Sequence, residues 1–214
     1  MNRTASTEPE RPLPAGLDRF YLIVDDADMA EQLVPEGVKL LQLRAKDMDE
    51  TRLRQHIRRA KSVCEAHGCT LVVNDYWRLA IEEGCAYVHL GQEDLTEADV
   101  PAIRRAGLRL GVSTHDHAEL ATARLAEPDY VALGPIWETK LKAMKWAPQT
   151  VARIAEWKRL IGEIPLVAIG GITAARLPDV FAAGADIAAV VTDVTRAEDP
   201  KRSCREWLRA TRRA

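Results

Sequence analysis

Residues 164–173 read Ile164-Pro165-Leu166-Val167-Ala168-Ile169-Gly170-Gly171-Ile172-Thr173. The apolar run lacks polar alternation, as expected of a strand buried on both faces, and it breaks at two glycines before a helix start. Without side chains at Gly170 and Gly171, backbone N–H groups can approach an anion, and Thr173 is placed to cap the helix whose positive end faces the same point. A tight strand-to-helix turn also needs such glycines, so a packing role and a phosphate role both stand at this point.

The same unit recurs along the chain. Apolar runs rich in Val, Ile and Leu predict strands at Phe20–Val24, Val38–Leu43, Thr70–Val73, Tyr87–Leu90, Leu108–Val112, Tyr130–Leu133, Leu166–Ile169 and Ile187–Val191. Helical patterns follow at Asp28–Val34, Glu50–His67, Trp77–Glu83, Ala98–Ala106, His117–Ala126, Gln149–Ile161, Ala174–Ala183 and Lys201–Arg212. Several close on glycine (Gly37, Gly68, Gly84, Gly107, Gly162, Gly184), the residue suited to a left-handed C-cap. Eight strand–helix pairs fit an α/β chain folded as a single (β/α)8 TIM barrel, with an open doubly wound sheet as the alternative.

Composition agrees. The 214 residues, 47% hydrophobic and 29% charged, suffice for one substantial core. A net charge of −2 gives no general drive toward nucleic acid or an anionic membrane, so neither is expected as a partner. No apolar run reaches spanning length and residues 1–17 lack the apolar core of a signal peptide, so a cytoplasmic location is expected. Residues 1–16 are polar and proline-rich and read as a disordered leader, leaving 17–214 as the barrel. Cys64, Cys69, Cys85 and Cys204 suit buried thiols; Cys64 and Cys69 flank His67, but no second ligand pair follows at zinc-site spacing.

A barrel of this kind carries its chemistry on the loops that follow the strands. After strand two, Gln42-Leu43-Arg44-Ala45-Lys46 sends an amide and two cations to one side, which suits a diphosphate unless neighbouring carboxylates neutralise them. Asn74-Asp75 and His89-Leu90-Gly91-Gln92-Glu93-Asp94 bring Asp75 and Asp94 to neighbouring loops. Two carboxylates with the other positions left to water and phosphate describe a Mg²⁺ site, whereas each alone would read as a helix cap. His89 reads as a packed or hydrogen-bonded strand-end histidine. In Ser113-Thr114-His115-Asp116, Ser113 can donate to a ligand, Thr114 or Asp116 can cap a helix, and His115 is a cap partner or an acid–base group. The long connection 134–148, with Lys140, Lys142, Lys145, Trp137 and Trp146, is a candidate lid over an anionic substrate or a solvated surface.

Taken together, QLRAK at 42–46, ND at 74–75, HLGQEDL at 89–95, GVSTHD at 111–116, GPIWET at 134–139, AIGGIT at 168–173 and VVTDV at 190–194 resemble the thiamine phosphate synthase family over roughly residues 19–200. The resemblance implies a transferase that joins a hydroxymethylpyrimidine diphosphate to a thiazole phosphate, or its carboxylated form, and releases diphosphate. It places Gln42, Arg44 and Lys46 on the pyrimidine diphosphate, Asn74 on the aminopyrimidine, Ser113 and Lys142 on the diphosphate, and Asp75 and Asp94 on Mg²⁺. Catalytic roles fall to Arg44, Lys46, Lys142 and Ser113. Thr139 with its neighbours Lys140 and Leu141, and Gly171, Val191 and Thr192, form the thiazole phosphate site.

Two positions depart from the family pattern. Leu141 stands where a second threonine is usual, and Thr192 replaces a serine, followed by Asp193, which must point away from a phosphate. Three other readings are a thiazole tautomerase using His115, another phosphate-binding isomerase barrel, and a non-catalytic ligand-binding barrel. The tautomerase needs neither the QLRAK run nor the paired aspartates, and the isomerase would use the glycine turn without the metal pair.

Overall fold

The structure is a computed structural model that describes residues 12–139 and 146–213. Among these, eight parallel strands close into a barrel in sequence order: β1 (Phe20–Val24), β2 (Leu40–Leu43), β3 (Thr70–Asn74), β4 (Tyr87–Leu90), β5 (Arg109–Thr114), β6 (Tyr130–Leu133), β7 (Leu166–Ile169) and β8 (Ile187–Val190). Closure is made by β1 pairing with β8, Tyr21 opposite Ala189. The helices are α1 (Ala27–Leu33), α2 (Glu50–His67), α3 (Trp77–Glu82), α4 (Gln92–Glu97), α5 (Val100–Arg105), α6 (His117–Leu125), α7 (Thr150–Ile161), α8 (Leu177–Ala182), α9 (Thr192–Thr195) and α10 (Pro200–Thr211). The closed barrel replaces the open-sheet alternative.

The two-residue period of the strands divides the core into two layers. In β1, Phe20, Leu22 and Val24 join the apolar layer under the helices, while Tyr21 and Ile23 point into the barrel with Leu40, Val72, Tyr130, Val167 and Ile187. On the outer layer, α2 applies Leu53, Ile57, Ala60 and Cys64 at helical spacing. Its buried His56 accepts the Ala27 N–H at 3.0 Å, so one side chain serves the start of α1. Asp49 caps α2 through the Arg52 N–H, and Gly68 ends it at φ 59. Trp207 of α10 stacks on Phe20 at 5.7 Å.

Residues on both sides of the expected leader boundary at 16 cover one end of the barrel interior. Leu13 and Leu17 pack against the interior layer, and the Ala15 carbonyl accepts from Tyr87 Oη (3.1 Å) and Arg109 Nη1 (2.6 Å). Residues 12–16 therefore belong with the folded unit, and residues 1–11 lie outside the described residues. The four cysteines are buried free thiols.

Candidate active site

The strand ends raise four polar side chains at the barrel mouth. Gln42 is buried on β2, Asn74 is buried at the end of β3, His89 is buried on β4, and Ser113 is half-buried on β5. Register sets Asn74 beside His89. Arg44 and Lys46 follow β2 as exposed cations, with the Arg44 N–H held by the Val24 carbonyl at 2.8 Å.

Asp75 and Asp94 meet as the sequence reading required. Asp94 is not on a loop, however, but in the first turn of α4, a helix absent from the sequence reading. Neither carboxylate caps a helix: the N-cap residues of α3 and α4 are Tyr76 and Gly91, both without a side-chain cap bond. Asp75 has φ 65, and its N–H is held by the His89 carbonyl at 2.9 Å. Burial, followed by the neighbouring Asp94 charge, pushes the Asp75 carboxyl up to about 6, while Lys46 and Arg44 oppose the rise. Lys46 Nζ stands 3.9 Å from Asp75 Oδ2. A semi-buried carboxylate pair with one cation at that distance is electrostatically incomplete, and a divalent cation between the carboxylates would complete it. Among the described residues no cluster of three or more His, Cys, Asp or Glu is placed to hold a metal. Two carboxylates alone would leave a hard cation to take most of its oxygens from water and phosphate.

His89 is the packed histidine the sequence reading favoured. Its Nδ1 lies 2.9 Å from Tyr130 Oη and its Nε2 2.8 Å from Ser113 Oγ. Burial, with a smaller contribution from the Arg44 charge, pushes its pKa down to about 4, so the ring is neutral near pH 7. His115 is occupied otherwise: its N–H and Nδ1 both meet Glu119 Oε2, at 2.8 and 2.7 Å, and its ring stacks on Trp146 at 5.4 Å. Of the two capping candidates there, Asp116 caps α6 through the Glu119 N–H, while Thr114 is fully buried against the Ala132 carbonyl and Trp157.

Of the two roles open to the glycines, the structure displays the packing one, and the Thr173 cap is absent. Gly170 and Gly171 have φ 98 and 65, and a Cβ on them would lie 2.6 Å from Pro135 Cα and from the Glu138 carbonyl oxygen respectively. The Ile136 and Trp137 N–H groups bond to the Ile169 and Gly170 carbonyls, at 2.9 and 3.0 Å. The glycines thus admit Pro135, Trp137 and Glu138 of the loop after β6 onto the turn. Thr173 makes no side-chain cap, and a 3-10 turn at Ala174–Arg176 precedes α8. Asp193 Oδ2 instead accepts from the Ala174 N–H at 3.3 Å and from Trp207 Nε1 at 2.7 Å. That grip fixes the Asp193 carboxylate between the Trp207 indole and the start of the 3-10 turn that follows the glycines. Val191 and Thr192 stand at the start of α9, after β8.

Lys140, Leu141, Lys142 and Lys145 lie outside the described residues. The sequence reading missed Tyr21, Tyr130 and Gln92. Gln92 Nε2 donates to the Ser113 carbonyl at 2.6 Å. A tyrosine at an inward position of an otherwise aliphatic strand was the available signal for the first two.

Comparison with known proteins bears on the whole chain. The family model for thiamine monophosphate synthase matches residues 20–194. A thiamine-phosphate synthase of Rhizobium etli is 66% identical over 195 residues, covering 91% of this chain and 96% of that protein. One of Cronobacter sakazakii is 44% identical over 202 residues, covering 94% and 92%. Among solved structures, a thiamine phosphate pyrophosphorylase of Pyrococcus furiosus superimposes with a TM-score of 0.81 at 21% identity over 91% of this chain and 96% of that one, a likeness of fold. Match length and identity together establish that the chain belongs to the thiamine monophosphate synthase family.

Proposed function

We propose that this chain joins 4-amino-2-methyl-5-hydroxymethylpyrimidine diphosphate to 4-methyl-5-(2-phosphoethyl)thiazole, giving thiamine phosphate and diphosphate. The observation that carries the reading is the uncapped Asp75–Asp94 pair beside Lys46, at the mouth that also presents Arg44 and Ser113. A tautomerase or a simple phosphate-binding barrel has no use for that pair.

Asp75 and Asp94 would hold Mg²⁺, which when bound neutralises charge on the leaving diphosphate. Arg44, Lys46 and Lys142 bind the same diphosphate as cations, and Ser113 donates to it. Their charge is matched to oxygen atoms that become more negative as the C–O bond breaks, so they stabilise the transition state more than the ground state. Gln42 and Asn74 orient the pyrimidine. Thr139, Lys140, Leu141, Gly171, Val191 and Thr192 form the thiazole phosphate site, and the thiazole nitrogen captures the pyrimidinylmethyl cation. Closure by the loop after β6 keeps water from that cation. Small molecules are the partners in this reading. The folded unit acts as one domain in the cytoplasm; no helix among the described residues is long and apolar enough to cross a membrane.

Incubation of the purified protein with both substrates and Mg²⁺ should release diphosphate and form thiamine phosphate in equal amounts. Bound thiazole phosphate without diphosphate release would instead identify a binding protein.

His115 separates the synthase from the tautomerase. Because His115 is bonded to Glu119 and stacked on Trp146, His115→Asn should change kcat by only a few-fold. Lys46→Ala should cost about 10²-fold or more, as loss of a positioned electrostatic group does. Steady-state rates of the two variants decide it, and the reverse order would favour proton transfer by His115.

A further inference from the structure

Five side chains on five strands form one hydrogen-bonded chain across the barrel interior. Gln42 Nε2 donates to Tyr21 Oη at 2.8 Å, and Tyr21 Oη lies 2.9 Å from Tyr130 Oη. Tyr130 Oη is 2.9 Å from His89 Nδ1, and His89 Nε2 is 2.8 Å from Ser113 Oγ. The links run β2, β1, β6, β4, β5. The four members before Ser113 are buried, at 3%, 1%, 0% and 7% exposure from Gln42 to His89.

Each inner link holds one proton. A neutral imidazole has a single N–H, and each phenol has one proton to give. In one sense of the chain, Gln42 donates to Tyr21, Tyr21 to Tyr130 and Tyr130 to His89 Nδ1. His89 then donates from Nε2 to Ser113, so the serine proton is free for a ligand anion and Gln42 Oε1 is free to accept from a ligand N–H. In the opposite sense, Ser113 donates to His89 Nε2, Nδ1 donates to Tyr130, and Tyr21 donates to a flipped Gln42 carbonyl. Ser113 then has no proton to give. A mixture of the two senses would leave a buried hydroxyl without an acceptor, at a cost that disfavours it.

We propose that Tyr21, Tyr130 and His89 are positioning residues for the transfer reaction: they couple the hydrogen-bonding sense of Gln42 at one end of the site to that of Ser113 at the other. An anion at Ser113 selects the sense with His89 protonated on Nε2. The same sense turns the Gln42 carbonyl toward the pyrimidine. This inference rests on the proposed reading, in which an anionic diphosphate meets Ser113.

The test reads the His89 tautomer directly, by ¹⁵N–¹H NMR of histidine-labelled protein, free and with Mg²⁺ and inorganic diphosphate. Wild type should show the Nε2–H tautomer, retained with diphosphate. Gln42→Glu, measured at a pH where the introduced carboxyl is ionised, places an acceptor-only group against Tyr21 and should flip His89 to Nδ1–H, although residue 42 is not hydrogen-bonded to the ring. Tyr130→Phe cuts the chain: His89 should lose its single tautomer, and kcat should fall about tenfold, the worth of one oriented hydrogen bond. If Gln42→Glu does not fold, Tyr130→Phe alone carries the test. A wild-type Nδ1–H tautomer, or a His89 signal that ignores these substitutions, overturns the coupling. Wild-type protein that shows the tautomer response but forms no thiamine phosphate would overturn the functional reading and leave the wiring intact.

Discussion

Asp75→Asn is expected to lower magnesium-supported turnover by about 10²–10³-fold, as removal of a metal ligand or of a preorganised charge does. The same change should raise the thermal midpoint of the metal-free protein at neutral pH. Both follow from one arrangement. Burial and the Asp94 charge push the Asp75 carboxyl up to about 6. A group whose folded pKa is raised favours the fold fully at pH values below its ordinary range near 4, and loses that contribution as pH rises through about 6. At pH 7 the metal-free pair therefore strains the fold. Asparagine keeps the shape, tolerates the left-handed backbone at φ 65 and removes the charge. Unfolding of wild type and variant, scanned from pH 4.5 to 8 with and without Mg²⁺, should show a stability gap that opens with pH in the metal-free samples and closes when Mg²⁺ is added. Turnover of the variant within a few-fold of wild type at limiting Mg²⁺ would remove Asp75 from the metal site. A lower midpoint for the metal-free variant would mean that the carboxylate has a structural partner instead.

The barrel was legible because each parallel strand is buried on both faces and so reads as an unbroken apolar run. Phe20–Val24, Tyr87–Leu90, Tyr130–Leu133 and Leu166–Ile169 have the predicted bounds. Helix α4 was not legible: over six residues it buries only Leu95, too little to set a period. That is why Asp94 was expected on a loop. The partner of Asp193 could be found only from the fold, since the indole that bonds it lies 14 residues on, across α9 and α10. The Tyr21–Tyr130–His89 chain needs the closure of the barrel, which brings β1, β4 and β6 to a common interior. Nothing in the local sequence of any one strand encodes it. The glycines were legible as glycines, but their reason was not. An anion site and a close-packed loop leave the same residues in the sequence, and only the Pro135 and Glu138 contacts show the second.

Gly171→Ala should therefore be among the most damaging single changes to this chain. Its φ of 65 opposes any side chain, at about 1–2 kcal/mol for the left-handed region. The new Cβ would also lie 2.6 Å from the Glu138 carbonyl oxygen and 2.7 Å from Trp137 Cβ, so the loop after β6 must move. Forcing an extra methyl into such a contact costs about 1–3 kcal/mol more. Gly84→Ala separates the two contributions, since Gly84 has φ 62 with nothing within 4 Å of an added Cβ. It should lose only the backbone part. Denaturant unfolding should rank Gly171→Ala below Gly84→Ala by the packing cost. Titration with thiazole phosphate should show weakened binding in Gly171→Ala alone, because the displaced segment at Trp137 and Glu138 leads directly into Thr139, which the proposed reading places on that ligand. Affinity for the pyrimidine diphosphate, which the proposed reading assigns to five residues on or after β2 to β5 and only to Lys142 after β6, should change less. Equal stability of the two variants, with unchanged thiazole phosphate affinity, would mean that loop and turn move independently and that the anion is not held between them.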